Sequence, residues 1–197
     1  MHPQLHEGWL AEALACPSPN FNARPAGARV SLLVIHNISL PPGDFGTGCV
    51  EAFFCNRLDT GQHSYFEQLS GLRVSSHLFI EREGRLVQFV ALDKRAWHAG
   101  RSAFGGELEC NDFSIGVELE GCDHIPYTGA QYRRLAEVTR ILLDYYPDLT
   151  PERIAGHSDV APGRKTDPGP AFDWCYYFSL LARGGDNPGN DKRGRSL

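Results

Sequence analysis

The sequence predicts an α/β fold with a mixed central β-sheet flanked by helices, and three observations carry that prediction. "VSLLVIH" (Val30 to His36) is an unbroken run rich in branched apolar residues, "FSIGVELEG" alternates apolar and polar positions, and one long segment between them and the C-terminus has helical periodicity.

The first run fits a strand buried on both faces, with His36 at its end. "SSHLFIER" and "RLVQFVAL" are joined through "EGR", where Gly84 can supply the positive φ of a hairpin turn. In "FSIGVELEG", Ile115, Val117 and Leu119 alternate with Ser114, Gly116, Glu118 and Glu120, so one face feeds a core and the other points Glu118 into a polar setting. "TGAQYRRLAEVTRILLDYYP" predicts a helix with Leu135, Val138, Leu142 and Tyr145 on one stripe, Thr128 and Gln131 as a capping box, and Pro147 as its stop. Shorter helices are expected over Cys49 to Leu58 and Ala171 to Arg183. The 197 residues suit one domain, over 1–183, because single cores stop growing above about 250 residues. The remaining 184–197 have no apolar residue before Leu197 and are expected to be disordered.

Composition narrows the function. Nineteen basic against 24 acidic residues leave a net charge of -5, so no broad basic surface is available and nucleic acid is not an expected partner. No apolar run approaches the roughly 18 residues that span a bilayer, and no membrane partner is expected. The N-terminus has no Lys or Arg before Arg24, and Glu12 interrupts its apolar patch, which is unlike a signal peptide. Six cysteines (Cys16, Cys49, Cys55, Cys110, Cys122 and Cys175) are scattered without C-x-x-C spacing, and are read as reduced thiols. Together these features predict a cytoplasmic protein, and a monomer is expected.

The chemistry concentrates in "GHSDVAPGRKTDPGPAFDW" (Gly156 to Trp174). Pro162, Pro168 and Pro170 each remove a backbone donor and fix φ, which predicts a shaped loop, neither helix nor strand, running into a helix. A catalytic zinc commonly takes three protein ligands and keeps one position open. His157 and Asp167 lie in this loop, and His36 ends a strand that can bring its imidazole to the rim of the sheet. Taken singly each has an ordinary reading: His36 as a hydrogen-bonded strand-end histidine, Asp167 as a turn residue, Glu118 as the wet side of a strand, Lys165 as a solvated charge. "HSD" also matches the start of a two-histidine, one-carboxylate iron site, but His157 is the last of the eight histidines and no second one follows it. No G-x-S-x-G elbow supports a serine nucleophile.

"PSPNFNARP", "LLVIHNISLPPG", "VSSHLFIEREGRLVQFV", "RAWHAG", "CNDFSIGVELEG" and "GHSDVAPGRKTDPGPAFDW" occur in this order from Pro17 to Trp174. In that order they resemble the zinc-dependent N-acetylmuramoyl-L-alanine amidases, most closely the cytoplasmic AmpD type. The resemblance implies the amidase and peptidoglycan-recognition-protein fold, a zinc ion held by His36, His157 and Asp167, and catalytic assistance from Glu118 and Lys165. It implies cleavage of the lactyl-to-L-alanine amide of 1,6-anhydro-muramyl peptides in cell-wall recycling, an activity whose loss can induce β-lactamase. Asn37, Arg73, Trp97 and His98 are candidate substrate contacts, offering an aromatic face to the sugar and a guanidinium to a stem-peptide carboxylate; His77 reads as structural. The alternatives are the same chemistry on intact peptidoglycan outside the cell, and a peptidoglycan-fragment binding module that has lost catalysis.

Overall fold

The computed structural model describes residues 4–183; the tail expected over 184–197 lies outside the described residues. Its main sheet has six strands: β1 (Leu14–Ala15), β2 (Leu32–Ile38), β3 (Leu78–Ile80), β4 (Leu86–Gln88), β5 (Ser114–Glu120) and β6 (Ile154–Gly156). They are ordered β6-β2-β5-β3-β4-β1. The run from β6 to β3 is parallel, β4 returns antiparallel to β3, and β1 pairs parallel with β4, so the sheet is mixed as expected.

The β3–β4 hairpin turns at Gly84, whose φ is 83°; a Cβ there would sit 3.2 Å from the Ala130 carbonyl oxygen. A side chain there would be strained by the backbone angle and crowded by the approach of a helix. β2 starts two residues later than the apolar run and continues to Ile38, which places His36 inside the strand. β1 and β6 are absent from the sequence reading; each is only two or three residues long and gains its identity from its neighbour's hydrogen bonds.

Among the described residues four α-helices accompany the sheet: α1 (Cys49–Phe54), α2 (Gly129–Tyr145), α3 (His157–Val160) and α4 (Trp174–Arg183). α1 stops short of Leu58 because Asn56 adopts a left-handed φ of 56°. α4 begins at Trp174 rather than Ala171, where Asp173 Oδ1 accepts from the Tyr176 amide at 2.8 Å.

α2 carries the expected capping box: Thr128 Oγ1 accepts from Gln131 N at 3.1 Å and Gln131 Oε1 accepts from Thr128 N at 3.0 Å. The Gln131 amide also donates to the carbonyls of Ile80 and Glu120, fastening α2 to the ends of β3 and β5. Thr128→Ala is expected to lower unfolding free energy by about 1 kcal/mol, read by urea denaturation, with the fold retained. Leu135, Val138 and Leu142 are fully buried, but Tyr145 is 43% exposed, because the buried stripe ends a turn before the helix does.

The strands alternate cleanly. Leu33, Ile35, Ile115, Val117 and Leu119 face α2 and α4, meeting Leu135, Leu142 and Tyr177 in the largest apolar cluster. The opposite face is divided between a cluster around Phe53, Phe54, Phe79 and Phe89 and another around Leu32, Val34, Ala155 and Val160. His36 and Glu118 continue this second face, since side chains two residues apart share a side. No helix among the described residues is long and apolar enough to cross a membrane.

Candidate metal centre

Strand register assembles the site. In the parallel pairing Glu118 lies opposite His36, and Gly156 opposite Ile35, so the carboxyl ends of β5, β2 and β6 stand side by side. Such ends are where open α/β sheets place their ligands. His157 follows β6 directly, on the single turn of α3, and Asp159 Oδ2 accepts from Gly156 N at 2.7 Å to fix that turn. The proline-rich segment is thus not wholly a loop: Gly156 closes a strand, His157 to Val160 form a helical turn, and Trp174 opens α4.

The rest of that segment is clamped. Ser158 N donates to the Asp167 carbonyl at 2.9 Å, and the Pro168 carbonyl accepts from Asn37 Nδ2 (3.1 Å) and from the Tyr127 hydroxyl (2.8 Å). Gly169 has φ 77° and no room for a Cβ, which would lie 2.3 Å from Asp123 Cα. Asp167 is consequently presented from a fixed backbone.

His36 Nδ1, His157 Nδ1 and Asp167 Oδ2 form a nearly equilateral triangle with edges of 2.9, 3.0 and 3.0 Å. His157 Nε2 lies 3.1 Å from the Ala99 carbonyl, which can only accept, so the neutral imidazole carries its proton there and turns a bare Nδ1 toward the triangle. Burial holds His36 neutral, lowering its pKa to about 4. Burial opposes the charge of Asp167; with a proton on either facing Nδ1, hydrogen bonding from His157 and His36 outweighs burial and holds its carboxyl far below the usual range, and with both nitrogens bare a cation must take that proton's place. Electron pairs converging at these distances repel unless a proton or a cation lies among them. Tetrahedral zinc, with bonds of about 2.0 to 2.1 Å to nitrogen or oxygen, spaces its ligands by roughly 3.3 Å, within a few tenths of the edges seen here. Two imidazoles and a carboxylate also match zinc's preferred donors, and among the described residues this is the one group of its kind.

All seven residues of β5 are buried, so Glu118 is not on a wet face; its side chain looks into a cavity of about 350 Å³ that also opens onto His36, His157, Asp167 and Lys165. Glu118 Oε2 is buried without a hydrogen-bond partner. Burial pushes the Glu118 pKa well above the usual carboxylate range, the charge of Asp167 pushes it further, and Lys165 pulls it back. A carboxyl in that condition accepts a proton readily from a reacting group. Lys165 is itself exposed at the cavity rim.

The remaining candidate residues divide. Trp97 lines the cavity with its indole Nε1 donating to Asn22 Oδ1 at 2.8 Å, which fixes the ring. Asn37 lines it too, but its amide donates to Asp123 Oδ1 and the Pro168 carbonyl, so its nitrogen holds the Asp167 segment. His98 Nδ1 stands 2.9 Å from His36 Nε2, against a ligand. Arg73 is outside the metal cavity, bonded to the Leu72 carbonyl beside a neighbouring small groove. His77 is fully buried and accepts from Gly116 N at 3.0 Å, a structural placement.

Sequence reading missed the apolar wall of Phe53, Phe54, Leu72 and Val74, whose residue types carry no chemical signal, and the clamp of Asp123 and Tyr127. A larger open groove of about 760 Å³, between Arg29 and Arg153, holds none of the ligand groups, so size alone does not locate the chemistry.

The N-acetylmuramoyl-L-alanine amidase family matches residues 26–170. The chain is 52% identical over 179 residues to the 1,6-anhydro-N-acetylmuramyl-L-alanine amidase AmpD of Escherichia coli (strain K12), covering 91% of this chain and 97% of that relative. A crystal structure of a selenomethionine AmpD derivative superposes with a TM-score of 0.87 at 52% identity, over 90% of this chain and 98% of the other. The amidase AmiD from E. coli, solved with anhydro-N-acetylmuramic acid-L-Ala-D-gamma-Glu-L-Lys, gives 0.57 at 30% identity, over 81% and 60%. The mixed sheet and the likeness along nearly the whole length lead to one assignment: this chain belongs to the N-acetylmuramoyl-L-alanine amidase family.

Proposed function

We propose that the protein is a zinc-dependent amidase, its one domain formed by residues 1–183, that hydrolyses the amide between the lactyl group of 1,6-anhydro-N-acetylmuramic acid and the L-alanine of a stem peptide. It acts on anhydro-muramyl peptides in peptidoglycan recycling, in the cytoplasm and as a monomer. The observation that carries the reading is the triangle of His36, His157 and Asp167 with a buried, unpartnered Glu118 oxygen opening onto the same cavity.

A zinc ion held by His36, His157 and Asp167 would supply a Lewis acid for the scissile carbonyl and a water whose pKa is lowered toward about 7. Glu118 takes the proton of the attacking water and returns it to the leaving amine of L-alanine. Lys165, at the rim, opposes the negative charge that develops on the carbonyl oxygen, a role worth about 3 to 4 kcal/mol. Trp97 offers its face to the sugar, while Phe53, Phe54 and Val74 keep that side of the cavity dry. Asn37 holds the Asp167 segment.

The test pairs metal analysis with an assay on anhydro-muramyl tripeptide. The purified protein is expected to hold about one zinc per chain, to release the tripeptide with a free L-alanine amine, to lose activity to a chelator and to regain it with zinc. A zinc-loaded protein that binds the fragment and leaves the amide intact is instead a recognition module.

A further inference from the structure

We infer that His98 is a positioning residue for the metal site, which fixes the orientation and tautomer of His36, and not a substrate contact. The inference rests on the reading of His36 as a ligand. A histidine that ligates through Nδ1 must carry its proton on Nε2 and needs an acceptor there. His36 Nε2 has one at 2.9 Å, His98 Nδ1, and the two rings meet edge to face with centroids 5.0 Å apart. His98 Nε2 then carries a proton and donates to Ser114 Oγ at 3.2 Å. The chain His36 to His98 to Ser114 therefore leaves Nδ1 of His36 bare toward the triangle.

The fold reserves space for this ring. A Cβ on Gly116 would lie 2.5 Å from both Cγ and Nδ1 of His98, so the imidazole lies against the bare backbone of β5, two residues before Glu118. His77 closes the other side, with its ring centroid 5.6 Å from that of His98, and its own role is set because Gly116 N donates to its Nδ1. Glycine inside a strand marks such a close approach. His157 has a counterpart acceptor in the Ala99 carbonyl, so each histidine of the triangle has its second nitrogen fixed by the segment His98 to Ala99.

The test measures zinc affinity by chelator competition, with cobalt absorption as a second readout and KM on anhydro-muramyl tripeptide as a third. His98→Leu removes the acceptor and is expected to weaken zinc about 10- to 100-fold and to change the cobalt spectrum. His98→Asn, whose Oδ1 can accept near the Nδ1 position, is expected to recover most of that loss. A folded His98→Leu protein with wild-type zinc affinity and only a raised KM overturns the inference and makes His98 a substrate contact. If circular dichroism shows His98→Leu unfolded, Ser114→Ala decides: it keeps the ring and removes its far partner, so about two- to tenfold weaker zinc supports the chain and unchanged affinity overturns it. A wild-type protein that binds no zinc defeats the metal reading itself and this inference with it.

Discussion

His157→Ala is expected to reduce zinc from about one per chain to near zero, and kcat/KM by about 10³-fold or more. In the proposed ligand set the side chain is one of three donors, and the residue is 2% exposed, so solvent offers no substitute in the same position. A Lewis acid contributes several kcal/mol to the transition state, and each 1.4 kcal/mol is a factor of about ten in rate. The fold should survive the change. The Ala99 carbonyl that His157 Nε2 contacts also accepts from Arg164 Nη2 at 2.6 Å, so no backbone acceptor is stranded. Plasma emission spectrometry on the dialysed variant, with circular dichroism as the control, checks the claim; stoichiometric zinc with normal turnover would place the ligand set elsewhere.

The parts of this site that sequence makes legible are those with strong chemical identity in a local pattern. His157, Lys165 and Asp167 stand within ten residues of one another in a segment whose prolines and glycines announce a fixed shape. α2 is legible because 3.6-residue periodicity and a capping box are properties of contiguous residues. β6 is not, since Ile154–Gly156 becomes a strand only through pairing with Leu33, Val34 and Ile35. The difference between a wet and a buried Glu118 is likewise a tertiary fact: alternation along β5 shows which residues share a side, but both sides are covered. The same limit explains His98. "RAWHAG" suggests an aromatic and a histidine available to substrate, and the contacts with His36 and Ser114 that orient the ring, distant in sequence, are not legible from it. Gly116 was the available clue, a glycine in the middle of an otherwise regular strand.

Glu118→Gln is expected to leave zinc in place and lower kcat by about 10²- to 10⁴-fold, with a smaller change in KM, because the amide cannot take the proton of the attacking water. A general base works only when deprotonated, so wild-type activity falls as pH drops through the pKa of Glu118. Burial and the charge of Asp167 raise that pKa and Lys165 lowers it. In the zinc-loaded protein the cation pulls in the same direction as Lys165, since positive charge favours the ionised carboxylate. Lys165→Ala therefore has two separable effects. It removes the group opposing charge on the carbonyl oxygen, which lowers kcat by about 10²-fold or more. It also removes a cation from the surroundings of Glu118, so the acidic limb of the kcat/KM profile moves to higher pH. In Glu118→Gln that limb should be lost or reduced to the titration of the remaining groups. Steady-state rates between pH 5 and 9, with zinc measured at each end of the range, decide the assignment. An acidic limb of wild-type height and position in Glu118→Gln removes Glu118 from proton transfer, and a Lys165→Ala limb that stays put or moves to lower pH removes the electrostatic coupling between the two residues.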